Sequence, residues 1–346
     1  MTKPIKQSRR YTAVTLILAA ASIVLFIGCL LHGSVDIPTS QVMKVLSGQH
    51  ADKAAWDIII LHTRLPMACT AALAGTALAI SGLLLQTTFD NPLAGPSVLG
   101  ISTGSSVGVA VVMLAFGGVI GNQIGTYAAI LSGAFIGAGV IILMLLLFSS
   151  MIKSSVMLLI VGIMIGYLAS SAISLLNFFS TQEGVHSFVI WGLGNFSGIT
   201  LDRLPVFAIS TLLLTGMSFL LIKPLNALLL GSRYAENLGV NIRSTRNRLL
   251  FISGSLTAVV TAFCGPIGFI GLVVPHIARL ALRTSNHSIL LPVTALTGAA
   301  TGLLCAFVSI IPASAGIVPI NAITPIIGFP IVLYIILNRK KILYFN

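Results

Sequence analysis

Runs of about twenty apolar residues recur along the whole of this chain, and no other feature limits its fold as much. A helix rising ~1.5 Å per residue needs roughly 20 residues to cross ~30 Å of hydrocarbon. Ten such segments can be drawn, at approximately 11–31, 66–86, 98–116, 124–148, 154–176, 204–222, 247–264, 268–283, 289–311 and 320–338. Only 8% of the 346 residues are charged and 56% are hydrophobic, whereas soluble domains carry roughly 25% charged residues. The runs are continuous, unlike the ~10-residue alternating strands of a membrane barrel. The expected fold is therefore all-α, a polytopic membrane protein of about ten transmembrane helices forming one domain, 1–346. The first run, Tyr11 to Leu31, lacks a small-residue cleavage site and reads as a retained helix.

Ten crossings put both termini on one side, and the positive-inside rule says which. With the N-terminus inside, the inner segments hold Lys3, Lys6, Arg9, Arg10, Lys153, Lys223, Arg233, Arg243, Arg246, Arg248, Arg279, Arg283, Arg339, Lys340 and Lys341. The outer segments hold Lys44, Lys53, Arg64 and Arg203, with the acids Asp36, Asp52, Asp57, Glu183 and Asp202. Both termini are thus expected in the cytoplasm. The net charge of +12 sits at helix ends, which excludes the clustered basic face of a nucleic-acid binder. On the outer side, His32 to Leu65 and Asn177 to Arg203 are long, and Trp191 in the second reads as an interfacial anchor.

The second to fifth spans and the seventh to tenth are expected to form an inverted repeat. Each set has a Gly/Pro-broken stretch near its second helix, NPLAGPSVLG at 91–100 and GPIGFIGLVVP at 265–275. Such repeats are common in transporters.

Several chemistries lack their residues. No GxxxxGK[ST] loop occurs, so any ATP is bound by another chain. His32, His50, His62, His186, His276 and His287 have no ligand spacing, and no metal site is expected. Cys29, Cys69, Cys264 and Cys305 lie in apolar runs and read as small buried hydrophobes. Gly100-Ile101-Ser102-Thr103-Gly104 matches the GxSxG elbow of serine hydrolases, but that motif needs a strand before it and a nearby His and acid; helix-packing glycines explain it better. The spans carry almost no acids, so a proton- or ion-driven secondary carrier is the weaker alternative.

Two features remain. Lys223 to Arg248 is a polar, basic island between hydrophobic spans. Tyr234 to Leu238 fits a short helix ended by Gly239 as the C′ residue. Leu228, Leu229, Leu230, Leu238 and Val240 give it an apolar face, which favours a protein partner. The competing reading is a solvated loop whose arginines hold anionic lipid headgroups. In the fifth span, Gly162, Gly166, Ser170 and Ser174 recur every four residues, with Asn177 near the same face. Small residues at that spacing serve close helix packing or wall a translocation path, and both roles can coexist against a second copy.

The chain also resembles the FecCD family, the membrane permeases of ABC importers for iron chelates, haem and cobalamin. The resemblance covers nearly the whole chain. It rests on Arg64-Leu65-Pro66, GLLLQTTFDNPLAGPSVLGISTG at 82–104, LGSRYAENLGV at 230–240, GPIGFIGLVVPHIARL at 265–280 and TPIIGFPIVLYIIL at 324–337. It implies a permease of the cytoplasmic (inner) membrane that is not itself an enzyme. It implies a second permease copy, an extracytoplasmic substrate-binding protein, and a cytoplasmic ABC ATPase dimer that holds ATP and Mg. Within the loop 223–248, Gly231, Ser232, Arg233, Tyr234, Ala235, Glu236, Asn237, Leu238, Gly239 and Val240 look like the coupling segment for the ATPase. The fifth and tenth spans look like walls of the path, and Arg64 like a docking residue for the binding protein. An iron siderophore is the expected cargo, with cobalamin or haem as alternatives. The family often has a second Arg where Met67 stands, an Arg and a Glu at Ile310 and Ile317, and a Gly at Asn321, so Lys44, Lys53 and Arg203 are the other candidates for docking charge.

Overall fold

The structure is a computed structural model that describes residues 3–115, 123–152, 154–311 and 316–337, among which every regular element is helical. Lys153, Arg339, Lys340 and Lys341 of the charge asymmetry lie outside the described residues, as do the ends of some expected spans at 116 and 338. The elements run α1 (Lys3–Leu31), α2 (Thr39–Leu46), α3 (Ala54–Ile59), a π turn (Ile60–Arg64), α4 (Leu65–Thr88), α5 (Ile101–Ala110) with a π turn (Val111–Ala115), α6 (Gln123–Met151) and α7 (Ser155–Phe179). They continue as α8 (Gln182–Gly192), α9 (Leu204–Phe219), α10 (Ile222–Leu228), α11 (Ser232–Asn237), α12 (Ile242–Cys264), α13 (Ile270–Leu282), α14 (His287–Ile310) and α15 (Ile320–Leu337).

A helix stands at each of the ten expected spans. Six are long and apolar enough to cross a membrane, and α9 with α10 makes a seventh if that pair, bent by 53°, is one span. Three are shorter, at Ile101–Ala115, Ile270–Leu282 and Ile320–Tyr334. At ~1.5 Å per residue α13 rises only about 20 Å. The apolar runs at 98–116 and 268–283 thus form helices shorter than a full span. Each is a short helix entered through irregular backbone, with positive φ at Asp90 and Gly100 before α5 and at Gly265 and Phe269 before α13.

Helix α4 is apolar all round, as a helix must be to sit inside a bundle, and it is buried along nearly its whole length. It packs on α14, α12, α13 and α9. The approach to α14 is backbone to backbone: a Cβ on Gly75 would stand 2.1 Å from the Gly298 carbonyl oxygen. On α13 the contact is closer still, and a Cβ on Gly82 would lie 1.6 Å from the Gly271 oxygen. No side chain fits there, so glycine sets the helix separation. The pairings exchange between the two halves: α4 packs on α14 and α13, while α12 packs on α6 and α5. That is the relation expected of two sets, α4–α7 and α12–α15, swapped by an in-plane pseudo-twofold axis.

Arginines close helix C-termini, where the last carbonyls lack partners. Arg10 Nε donates to the Ala281 oxygen at 2.6 Å, at the end of α13. Arg246, counted among the inner-side charges that anchor the seventh span, does not face outward as a plain positive anchor would. It is buried instead, donating from Nε to Ser149 Oγ at 2.9 Å and from Nη2 to the oxygens of Ser149 and Ile152 at the end of α6. Trp191 also departs from expectation. It lies near the end of α8, stacks on Phe188 and packs against the main core. Its carbonyl approaches where a Cβ on Gly265 would be, at 2.5 Å. The segment after α7 thus folds back onto the protein, and Trp191 packs partly against its core.

Candidate functional site

On the basic end of the molecule, α10 and α11 form a small helical elbow before α12. Gly231 (φ 92°) opens α11 and Gly239 (φ 83°) closes it. An added Cβ at either would meet nothing within 4 Å, so the requirement is conformational and not steric. The end of α11 is a complete Schellman motif. Val240 N donates to the Ala235 oxygen at 3.0 Å and Gly239 N to the Glu236 oxygen at 2.9 Å. Ala235 is fully buried and anchors the elbow. Around it the apolar side chains point away from the protein, with Tyr234 68%, Leu238 65% and Leu230 60% exposed. Ser232, Arg233, Glu236 and Asn237 are exposed beside them. Leu238 and Val240 also line a cleft of about 440 Å3 shared with Lys223, Pro224 and Ala227. A water-facing turn that hides one alanine and shows a tyrosine and two leucines has the form of a docking surface.

Polar bonds tie this elbow to the bundle, and sequence reasoning missed most of them. Asn226 on α10 accepts at Oδ1 from the His287 backbone N at 2.7 Å. His287 Nε2 meets Thr87 Oγ1 at 2.9 Å, at the end of α4. At the preceding residue of α4, Gln86 Oε1 accepts from Arg279 Nη1 at 2.5 Å and Nε2 donates to the Leu272 oxygen at 3.0 Å. His276 Nε2 meets the Pro92 oxygen at 2.7 Å. The elbow is thus connected to α14 and, through His287, to α4, whose end is in turn bonded to α13. The available signal was polar residues clustered at helix ends.

The stripe on α7 splits. Gly162 is buried and Gly166 half-buried, both against the entry to α5: a Cβ on Gly100 would stand 2.9 Å from the Gly166 Cα, and one on Gly162 would stand 2.7 Å from Leu99 Cδ2. Ser170 and Ser174 are exposed. Ser174 Oγ donates to the Ser170 oxygen at 3.1 Å, while Asn177 is half-buried and its Oδ1 has no partner. At about 100° per residue, each step of four overshoots by ~40°, so the stripe turns by ~120° from Gly162 to Ser174. The glycine end packs within the protein and the serine end leaves it. Nearby, Ser102, Ser106, Trp191 and Asn321 line a cavity of about 400 Å3 among α5, α8, the 265–268 turn and α15. Ser102 accepts from Thr261 Oγ1 at 3.3 Å, an ordinary helix contact. Asn321 staples the surroundings: Nδ2 donates to the oxygens of Gly192 and Pro266, and Oδ1 accepts from Gly268 N at 3.1 Å.

At the opposite end, Arg64 is only 3% exposed. Nη1 donates to the oxygens of Leu30 and Leu31 at 2.8 and 2.9 Å, and Nη2 to that of Val35. Gly33 makes room, since a Cβ there would stand 2.8 Å from Arg64 Nε. A partner's carboxylate could reach this guanidinium only by withdrawing it from α1. Met67 is buried in the core and Ile310 is buried, whereas Ile317 is 45% exposed. Lys44 pairs with Asp52 at 3.1 Å, Lys53 lies over Trp56, and Arg203 lies over Tyr127. Arg64→Met should therefore act first on folding. Unsatisfied carbonyls and lost charge-assisted bonds cost about 3 kcal/mol. A thermal unfolding midpoint lowered by several degrees is expected, and an unchanged midpoint with weakened binding of an external partner would show a docking role instead.

Among the described residues, no three His, Cys, Asp or Glu side chains are placed to hold a metal ion. The FecCD transport family model matches residues 19–338. The chain is 35% identical over 291 residues to the vitamin B12 import system permease protein BtuC of Escherichia coli O9:H4 (strain HS), covering 82% of this chain and 85% of that one. It is 34% identical to the BtuC of Salmonella paratyphi A (strain ATCC 9150 / SARB42), covering 83% and 86%. A solved ABC transporter provisionally assigned to the metal-chelate type, in an inward-facing conformation, superposes with a TM-score of 0.78 at 31% identity, over 94% of this chain and 99% of the other.

Proposed function

Since this chain belongs to the FecCD transport family and is the membrane permease of an ABC importer, we propose that it carries an iron chelate inward across the cytoplasmic membrane. Both termini and the elbow 223–248 lie in the cytoplasm. The observation that carries the mechanism is α11. Its exposed Tyr234 and Leu238, framed by two positive-φ glycines and anchored by Ala235, form a rigid apolar knob for an ATPase that holds ATP and Mg. Motion of that knob reaches α4 and α14 through Asn226, His287 and Thr87, and α13 through Gln86 and Arg279.

A second copy of the chain completes the path. Helix α7 leaves Tyr167, Leu168, Phe178 and Phe179 at least 68% exposed, and α15 leaves Ile326 and Phe329 at least 60% exposed. With Ser170 and Ser174 beside them, these faces offer a large solute a wide, weakly polar wall. The binding protein meets the opposite end through shape more than charge, because Arg64 is occupied by backbone carbonyls and Met67 and Ile310 are buried.

A second reading of the cargo, cobalamin, is favoured by the B12 permeases among the relatives. Uptake into proteoliposomes holding permease, ATPase and binding protein separates them. ATP-dependent accumulation of a labelled ferric siderophore, with none of labelled cobalamin, is the expected result. The reverse preference would assign a corrinoid. Uptake without the ATPase would overturn the importer reading in favour of a secondary carrier.

A further inference from the structure

A long lateral groove on the α6 and α9 side of α12 adjoins the cleft of the coupling elbow, sharing Asn241, Ser244 and Arg248 with it, and lies apart from the path. It begins beside the basic end, in a cavity of about 750 Å3 among α6, α9 and the first turns of α12. Arg243 and Arg248 line its mouth, with Asn247 between them and Met217, Leu220 and Phe251 as apolar walls. It continues along α6 and α12 as a second cavity of about 350 Å3 that reaches Phe135 and Val259. The two cavities share Leu146 and Phe251, so they form one groove. Gly139 on α6 faces open space along it, where an added Cβ would meet nothing within 4 Å.

No salt bridge among the described residues engages the charges at the mouth. Arg243 and Arg248 are exposed, and neither is in an ion pair among the described residues, whose salt bridges involve Lys44 with Asp52 and His50 with Asp57. Arg246, between them in sequence, is turned inward to cap α6 and does not contribute. The dimensions fit one occupant. From Phe251 to Val259 helix α12 rises about 12 Å, close to the ~15 Å half-thickness of a bilayer's hydrocarbon core. Two free guanidiniums at headgroup level above an apolar channel of acyl-chain length match an anionic phospholipid. A soluble anion would use the mouth and leave the channel empty. An ATPase would cover the arginines but could not extend a leaflet's depth into the membrane.

We propose that this groove is a specific site for one anionic phospholipid of the leaflet bordering the basic end, its phosphate held by Arg243 and Arg248 and one acyl chain laid along Leu146, Phe251 and Gly139. The test is native mass spectrometry of the purified full-length chain in detergent, titrated with phosphatidylglycerol, phosphatidylcholine or glycerol 3-phosphate. One phosphatidylglycerol should be retained per chain, about tenfold more tightly than phosphatidylcholine, as two surface arginines allow. Arg243→Gln with Arg248→Gln should abolish that preference. Gly139→Phe, or Leu146→Trp if the first variant does not elute as a folded species, should weaken both lipids about fivefold while leaving the arginines in place. Equal binding of the two lipids by the unaltered chain would overturn the proposal. So would a preference that survives the double arginine change, or glycerol 3-phosphate binding as tightly as the lipid.

Discussion

Leu238→Asp is expected to abolish ATP-driven uptake while leaving the permease folded. The side chain is 65% exposed and packs on nothing that the bundle needs. The bonds that end α11 come from backbone N–H groups of Gly239 and Val240, which the substitution keeps. In the complex the leucine is expected to lose its water against the ATPase, an effect of about 1.5–3 kcal/mol. Aspartate removes that gain and adds the cost of a carboxylate in a closing apolar contact. A combined loss of about 3 kcal/mol corresponds to more than 100-fold in affinity. Co-elution of permease and ATPase should disappear, and uptake should fall at least tenfold, with the unfolding midpoint of the isolated permease unchanged. Glu236→Gln keeps the size of an exposed residue and should weaken coupling less. Normal coupling in the Leu238 variant would remove α11 from the energy path.

The features that could be read from the chain were those written in residue order. Apolar run length gives ten helical segments, and Gly239 after Leu238 gives the end of α11, because a Schellman motif needs positive φ one residue past the helix. Run length counts apolar residues, however, and not helical ones. It therefore could not show that irregular backbone leads into 98–116 and 268–283, so that their helices begin only at Ile101 and Ile270 and are short. The arginine caps were equally hidden. Arg64, Arg246 and Arg10 bind carbonyl oxygens, and every residue has one, so no side-chain pattern marks the acceptor. Charge asymmetry correctly weights ends of helices, but it treats Arg243, Arg246 and Arg248 alike, although one is buried and two are free at the groove. The polar links Asn226–His287–Thr87 join residues up to 200 positions apart, a juxtaposition that only the packing of α4 against α14 creates.

The split stripe on α7 leads to the other large expected effect, loss of uptake without loss of folding in Ser174→Trp. If the four residues had shared one face, every bulky change along it would have had the same consequence. The ~120° turn between Gly162 and Ser174 separates the outcomes. At Gly166 a larger side chain is driven toward the Gly100 backbone, whose φ of 75° already suits only glycine well. Gly166→Leu should therefore destabilise the chain by about 1–3 kcal/mol, the usual cost of overpacking, and lower the unfolding midpoint. At Ser174 the side chain is exposed and its hydroxyl returns to its own helix, so tryptophan there disturbs nothing within the protomer. On the proposed path it would instead occupy the space between two copies that the solute is expected to cross. Uptake below about a tenth of normal is expected, with an unchanged unfolding midpoint, intact ATPase co-elution and the same oligomer on size-exclusion. Near-normal uptake would place the path elsewhere, and a dissociated oligomer would make the serine end an interface and not a wall. Close packing at Gly162 and Gly166 thus holds α7 at one end and leaves Ser170 and Ser174 uncovered at the other, where the proposed path would need them.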